Sequence, residues 1–406
     1  MRGAWLLGFS LLLRCSSAWK YSDVHLPEGS WQYLPVAQRW RTSSQSFPST
    51  QWSVNVTQDG IISFILPIKG SADELGFVRN QLHSFDKFLA FVGLREMVIL
   101  CPSEDLPHVT TFVQTLQHSL QRLQHLPLRV VPEELCAPEL LPGSIYTPHL
   151  ARWPGWMRQQ AIKMAAANLV DTPFMLVLDA DIYLGRPMKP LDLVAIGSCT
   201  SEPVCDTLRE TSYKGLIAGV EMRYGDDYHR RWFKNSAAVT LQLNVNFSEW
   251  NISLGVTPQV VATDIARSLG SFIEHRFDVP SWRAYLFEIA TAWADHQMVV
   301  KGKFEHDPAW TEWALYHVFG LHTNRFYDYQ AEGRLFQGNE VWFEEAFDAW
   351  NPCRDVDSPT AAGYFSLVQS RIGKSPDDIF AKLEACWHTL GKSSHAPATA
   401  LPARFS

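Results

Sequence analysis

Asp171-Thr-Pro-Phe-Met-Leu-Val-Leu-Asp-Ala-Asp-Ile-Tyr-Leu-Gly185 decides how this chain is read. The apolar run from Phe174 to Leu178 has the composition of a strand buried on both faces, as in a parallel sheet. It ends in two carboxylates one residue apart, Asp179 and Asp181. Open α/β sheets bind ligands at the carboxyl ends of their strands. Alternate residues of an extended chain point the same way, so both carboxylates can face one point. Two carboxylates facing one point call for a divalent cation, and hard oxygen ligands suit Mg²⁺ or Mn²⁺.

Upstream, the same kind of pattern recurs. Ile61 to Ile68 is a β-branched, apolar run and reads as a strand. After the loop Lys69 to Asp73, the apolar residues Leu75, Val78, Leu82, Phe85 and Leu89 keep helical spacing and predict a helix over 73–92. A second strand is expected from Glu96 to Leu100, a helix over 106–123 and a third strand from Leu128 to Val131. A Pro-rich connection over 132–154 leads to a helix over 155–170, immediately before the Asp179 strand. Strands alternating with helices at this spacing predict an α/β fold with a mostly parallel sheet flanked by helices. No G-x-G-x-x-G or G-x-x-x-x-G-K stretch occurs, so a dinucleotide-binding or P-loop reading has no support.

Beyond Leu184 the pattern is less regular. Lys214 to Val220 reads as a strand, and so does Ala237 to Val245 through the alternation of Val239, Leu241 and Leu243. Thr257 reads as the N-cap and Pro258 as the first position of a helix reaching Leu269. Helices are expected over 284–294 and 310–319. The tail from about Ser393 is rich in Ala, Pro and Ser and reads as disordered.

Composition bounds the partners and the compartment. A formal charge of −7 over 406 residues argues against a nucleic-acid partner. The first 18 residues read as a signal peptide. Arg2 is its basic end, Ala4 to Leu13 its apolar stretch and Ser16-Ser17-Ala18 its cleavage site. That stretch is far shorter than the about 20 residues a bilayer needs, although an uncleaved anchor is the competing reading. Three sequons, at Asn55, Asn246 and Asn251, point to the secretory route. So do the six cysteines beyond residue 18, an even number compatible with disulfides. Cys199 with Cys205 closes a short loop, Cys353 with Cys386 would tie the C-terminal region, and Cys101 with Cys136 is left by elimination.

Four ordered stretches carry a resemblance. They are Gly155-Trp-Met-Arg-Gln-Gln-Ala-Ile-Lys163, Leu178-Asp-Ala-Asp181, Gly255-Val-Thr-Pro-Gln259 and Thr311-Glu-Trp-Ala-Leu-Tyr316. Together they resemble glycosyltransferases of the GT-A fold, over roughly residues 60 to 320. The resemblance is strongest to an uncharacterised glycosyltransferase-like family with a G-W-x-x-Q-Q-x-x-K helix followed by L-D-A-D. It implies a nucleotide-sugar donor whose diphosphate is bridged by Mn²⁺ or Mg²⁺. Asp181 is the expected direct ligand, with Asp179 reaching the ribose or, through water, the metal. A third ligand in this fold is often a late histidine; His317 and His322 are the candidates, and His322 is preferred because it follows Gly320-Leu321 on an expected loop. Gln160 and Lys163, on one helix face, are expected at the donor, with Lys163 meeting a phosphate as a point charge. Lys69, at the end of the first strand, is expected near the donor base and ribose.

On the acceptor side, Glu312 at a helix start is the candidate base for an inverting reaction, with Asp264 and the Asp295-His296 pair as alternatives. A retaining reaction needs no such base. The expected organisation is a lead-in over 19–60, a catalytic domain over 61–350, an extension over 351–392 and a tail over 393–406. The function implied is a luminal or secreted metal-dependent glycosyltransferase acting on a glycan, protein or lipid acceptor, with no membrane span beyond an uncleaved signal. Two rivals stand beside it: an inactive carbohydrate-binding relative and another metal-dependent phosphate-handling enzyme.

Overall fold

The computed structural model describes residues 60–140, 156–196, 216–224, 227–243, 252–254, 257–301, 308–333, 335, 340–352 and 363–393. The expected signal peptide, the three sequon asparagines and Cys199, Cys205 and Cys353 lie outside the described residues. In chain order, β1 (Ile62–Pro67), α1 (Ala72–Phe88), β2 (Leu94–Cys101), α2 (Leu106–Ser119), β3 (Leu128–Pro132), α3 (Trp156–Ala165) and β4 (Phe174–Val177) form the first half. They are followed by β5 (Ile182–Leu184), β6 (Val194–Ile196), β7 (Leu216–Tyr224), α4 (Asp227–Asn235), β8 (Ile252–Leu254), β9 (Gln259–Ala262), α5 (Thr263–Phe277), α6 (Trp282–Lys301) and α7 (Glu312–His322). The chain then runs through β10 (Gln330–Gly333), β11 (Phe365–Leu367) and α8 (Pro376–Ser393).

The main sheet has the strand order β3-β2-β1-β4-β9. Parallel pairing joins β1 to β2 and to β4, and β2 to β3; β9 adds to β4 antiparallel. Every residue of β1 and β4 is buried, which is why both read as unbroken apolar runs. The one polar residue within β1, Ser63, is paired: it accepts from the Thr172 hydroxyl at 2.9 Å. This is the mixed, mostly parallel α/β fold that the alternation of strands and helices predicts.

Helix α1 starts at the N-cap Ser71, whose hydroxyl accepts the Glu74 N–H at 3.4 Å. Leu75, Val78, Leu82 and Phe85 form its buried stripe. It stops at Phe88, earlier than expected, with Leu89 extended. Two polar residues on its buried side, Gln81 and Ser84, are fully enclosed and are used by the segment that leaves β4. The outer side of α1 is covered by α8. Pro376 sits so close to Gly76 that a Cβ there would lie 2.7 Å from the proline ring. Asn80 Nδ2 donates to the Pro376 carbonyl at 2.6 Å, and Trp387 meets Phe88 edge-on at 6.3 Å.

A second sheet runs β10-β7-β6, with β8 on β7. A separate two-stranded pairing joins β11 to β5 antiparallel, matching Ser366 to Tyr183. The C-terminal segment is thus bonded to the residues that follow Asp181.

Three expectations are corrected. Residues 236–240 are a π-turn continuing α4, not a strand. Tertiary contacts decide it: Asn235 and Thr240 donate to the Pro308 and Ala309 carbonyls, at 2.9 Å each. Thr257 and Pro258 do not start a helix. The β-branched pair Val260-Val261 instead extends the sheet beside β4, and α5 begins at Thr263. Cys101 and Cys136 are free thiols, both buried, and not a disulfide. Cys101 closes β2, while Cys136 lies in the turn after β3 with its thiol donating to the Glu133 carbonyl at 3.2 Å. Burial pushes both thiols up to about 12. Cys386 is disulfide-bonded.

Candidate active site

The strand order changes direction between β1 and β4: β2 and β3 are laid down on one side of β1, β4 on the other. At such a switch point the connections diverge and leave a crevice at the carboxyl ends of the strands. Lys69 and Gly70 follow β1 there, and Leu178, Asp179, Ala180 and Asp181 follow β4. The Leu178 N–H still bonds the Ile65 carbonyl at 2.8 Å, so the sheet holds the chain up to the residue before Asp179.

Behind the two aspartates the backbone is braced from α1. Gln81 Nε2 donates to the carbonyls of Asp179 at 2.8 Å and Ile182 at 2.9 Å. Ser84 Oγ accepts the Leu184 N–H at 3.0 Å. From the other side comes the C-terminal segment: the Val368 N–H reaches the Asp181 carbonyl at 3.2 Å, and the Ser370 N–H reaches Asp181 Oδ2 at 2.9 Å.

The two carboxylates differ in surroundings. Asp179 keeps 28% of its side chain exposed, and its Oδ1 accepts from Lys163 at 2.8 Å and from Gln159 at 3.2 Å. Its Oδ2 accepts no hydrogen bond among the described residues. Asp181 is buried, and burial together with the Asp179 charge raises its pKa to about 7. Glu74, in the first turn of α1, is a third carboxylate here. Burial lifts it to about 7 against the pull of Lys69, with Asp179 and Asp181 adding to the rise. Sequence reasoning missed Glu74 because Ser71-Ala-Asp-Glu74 reads as a capping box; its place just past the end of β1 is the signal that could have found it.

The expected site residues separate into groups. Lys69 follows β1 and Asp179 and Asp181 follow β4 at the same end of the sheet, and Lys69 is exposed. Lys163 is 2% exposed and bonds Asp179, Glu312 Oε1 at 3.2 Å and Thr257 Oγ1 at 3.0 Å. Burial alone would lower its pKa, but the two carboxylates outweigh that and raise it. Gln160 is also enclosed and accepts the Glu312 N–H at 3.1 Å. Glu312 is 3% exposed, and burial raises its pKa against Lys163.

The two histidines lie elsewhere. His317 sits edge-on to Phe233 at 5.1 Å and close to Phe326 at 4.5 Å, and burial lowers its pKa to about 3. His322 is in the last turn of α7, not on a loop, with its ring 6.0 Å from Phe272. Glu312 opens the same helix, and 11 residues of α-helix span about 15 Å. His322 is therefore not brought to the aspartates. Of the alternative bases, Asp264 is ion-paired to Arg325; the Asp295 and His296 side chains lie outside the described residues.

The donor set fits Mg²⁺ or Mn²⁺. Asp179 Oδ1 and Asp181 Oδ2 are engaged by the protein, and a cation would offset the burial and the Asp179 charge that raise the Asp181 pKa. Among the described residues no group of three or more His, Cys, Asp or Glu could hold a metal ion. Two carboxylates suffice where water and substrate phosphates complete the coordination.

Residues 59–390 match the family described as Family of unknown function (DUF6492). No curated protein sequence matches. Among solved structures, the chain is similar to mouse xyloside xylosyltransferase 1 in its apo form, at 9% identity, covering 77% of this chain and 99% of that one, with a TM-score of 0.38. It is similar to the galactosyltransferase LgtC in complex with donor and acceptor sugar analogues, at 11% identity, covering 83% and 98%, with a TM-score of 0.36. It is also similar to the mannosyltransferase Ktr4p from S. cerevisiae, at 9% identity, covering 65% and 66%, with a TM-score of 0.37.

Proposed function

We propose that this chain, which belongs to the DUF6492 family, is a metal-dependent glycosyltransferase that moves a sugar from a nucleoside-diphosphate donor to an acceptor hydroxyl. The observation that carries this reading is the carboxylate pair Asp179 and Asp181 at the strand switch point, with Asp181 pushed up to about 7 by burial and by Asp179. A pair in that state is stabilised by a bound cation, and the crevice beside β1 is where an α/β sheet accepts a nucleotide.

Asp179 and Asp181 would hold Mn²⁺ or Mg²⁺, which supplies charge neutralisation for the departing diphosphate. Gln81, Ser84 and the Val368 and Ser370 amides fix the aspartates before any ligand arrives, so their orientation costs nothing at the moment of reaction. Lys69 stands across the crevice as a cation for the donor, and Glu74 beside it as a hydrogen-bonding carboxyl for donor hydroxyls.

A secretory-pathway lumen is the proposed compartment, supported by the signal-like sequence pattern of residues 1–18, the three sequons and the bonded Cys386. Among the described residues no helix is long and apolar enough to cross a membrane. The acceptor is a glycan, protein or lipid hydroxyl.

The test is calorimetric titration of the protein with UDP and GDP, with and without Mn²⁺. Wild type is expected to bind one of them only with Mn²⁺, and Asp181→Asn, which keeps the shape and the Ser370 contact, to lose at least tenfold in affinity. Equal nucleotide affinity in wild type and D181N overturns the assignment.

A further inference from the structure

Lys163 is the one buried lysine among the described residues, and its three N–H donors are all in use. They reach Asp179 Oδ1 at 2.8 Å, Thr257 Oγ1 at 3.0 Å and Glu312 Oε1 at 3.2 Å. The Trp313 ring covers a further side, 5.9 Å from the ammonium. No donor is left for a phosphate. Four separate pieces of chain converge on this one nitrogen: α3, the end of β4, the turn before β9 and the first turn of α7.

Glu312 is equally enclosed. Its backbone N–H bonds Gln160, one turn of α3 from Lys163, so α3 grips the start of α7 twice. At 3% exposure its carboxylate has no free face for an acceptor hydroxyl. Of the three groups around Lys163, Asp179 alone is partly open, at 28%. Lys163 and Gln159 both bond Oδ1 of that carboxylate and leave Oδ2 for a ligand.

We propose that Lys163 and Glu312 are positioning residues of the donor site: the ammonium selects which oxygen of Asp179 faces the ligand, Glu312 balances the buried charge, and neither touches donor or acceptor. This rests on the reading of the crevice as a nucleotide site. It removes Glu312 as an acceptor base and Lys163 as a phosphate contact.

The experiment measures Mn²⁺-dependent UDP and GDP affinity in wild type, Glu312→Gln and the double variant Lys163→Met/Glu312→Leu. An apolar pair of similar volume commonly keeps a fold that a buried ion pair held. The double variant is therefore expected to melt cooperatively yet bind nucleotide at least tenfold more weakly, because Asp179 has lost its anchor. E312Q is expected to weaken nucleotide binding severalfold; a pure acceptor base would leave that affinity intact. Should the double variant not fold, Glu312→Gln carries the test, since it removes the buried charge opposite Lys163 and conserves the side chain's volume. Wild-type affinity in the folded variants overturns the positioning role alone. Absence of metal-dependent nucleotide binding in wild type overturns the donor-site reading and this inference with it.

Discussion

The backbone N–H of Ser370 donates to Oδ2 of Asp181 at 2.9 Å, across a sequence separation of 189 residues. A main-chain amide thus does for Asp181 what Lys163 and Gln159 do for Asp179. Each aspartate has a carboxylate oxygen held by the protein, Oδ1 of Asp179 and Oδ2 of Asp181.

Replacing Ser370 by proline should delete that bond and little else. Ser370 opens a 3-10 turn, where proline is tolerated, and Gln369 before it has the extended geometry (φ −58°, ψ 127°) that proline requires. Loss of a hydrogen bond to a buried carboxylate costs about 2 kcal/mol. The bond lowers the Asp181 pKa, so its removal drives that pKa above about 7. Nucleotide affinity with Mn²⁺ should fall most at pH 6.5 and recover towards wild type at pH 8.5. A pH-independent deficit would contradict this.

Gln81→Leu should cost about 2–3 kcal/mol in urea denaturation, because the buried carbonyls of Asp179 and Ile182 each lose a partner. Volume is nearly conserved, so packing contributes little. A loss below about 0.5 kcal/mol, within the usual range for surface changes, would mean the brace is not used.

His317 makes stability acid-sensitive. Burial holds its folded pKa at about 3, below the ordinary 6.5, so the unfolded chain takes the proton first as pH falls. The stability linked to this group is complete above pH 6.5 and is lost as pH drops from there towards 3, by up to about 1.4 kcal/mol per pH unit. His317→Leu should flatten the wild-type slope between pH 6.5 and 4.5. An unchanged slope in that window would assign the sensitivity to other groups.

Alkylation in denaturant without reductant should label Cys101 and Cys136 and spare Cys386, and prior reduction should add Cys386. Mass spectrometry of the peptides reads this directly. Protection of Cys101 before reduction would restore the pairing left by elimination.

The first half of the fold was legible because β1 through β4 are apolar runs separated by helices of plain 3.6-residue period. The four-residue β9 was not, since Thr257-Pro258 imitates a helix start and sheet pairing with β4 overrides it. The D-x-D pair was legible as a motif, but its supports were not. Gln81 and Ser84 look like the wet face of an amphipathic helix, and the Ser370 contact uses backbone, which carries no side-chain signature. Lys163 was legible as a charge near the aspartates, but spacing along a helix does not reveal that Asp179, Thr257 and Glu312 surround its ammonium. His322 was misplaced because Gly320 does not end α7.

The seam between Gly76 and Pro376 has a consequence for biosynthesis. Asn80 leaves the ribosome 296 residues before the proline carbonyl it will bond. Until the C-terminal helix follows, the side of α1 bearing Phe88 lacks its Trp387 cover. Nascent chains with such bare apolar faces are held by chaperones until the covering segment arrives. A polypeptide terminated before residue 363 would present that face permanently, and would be cleared by proteolysis rather than accumulate.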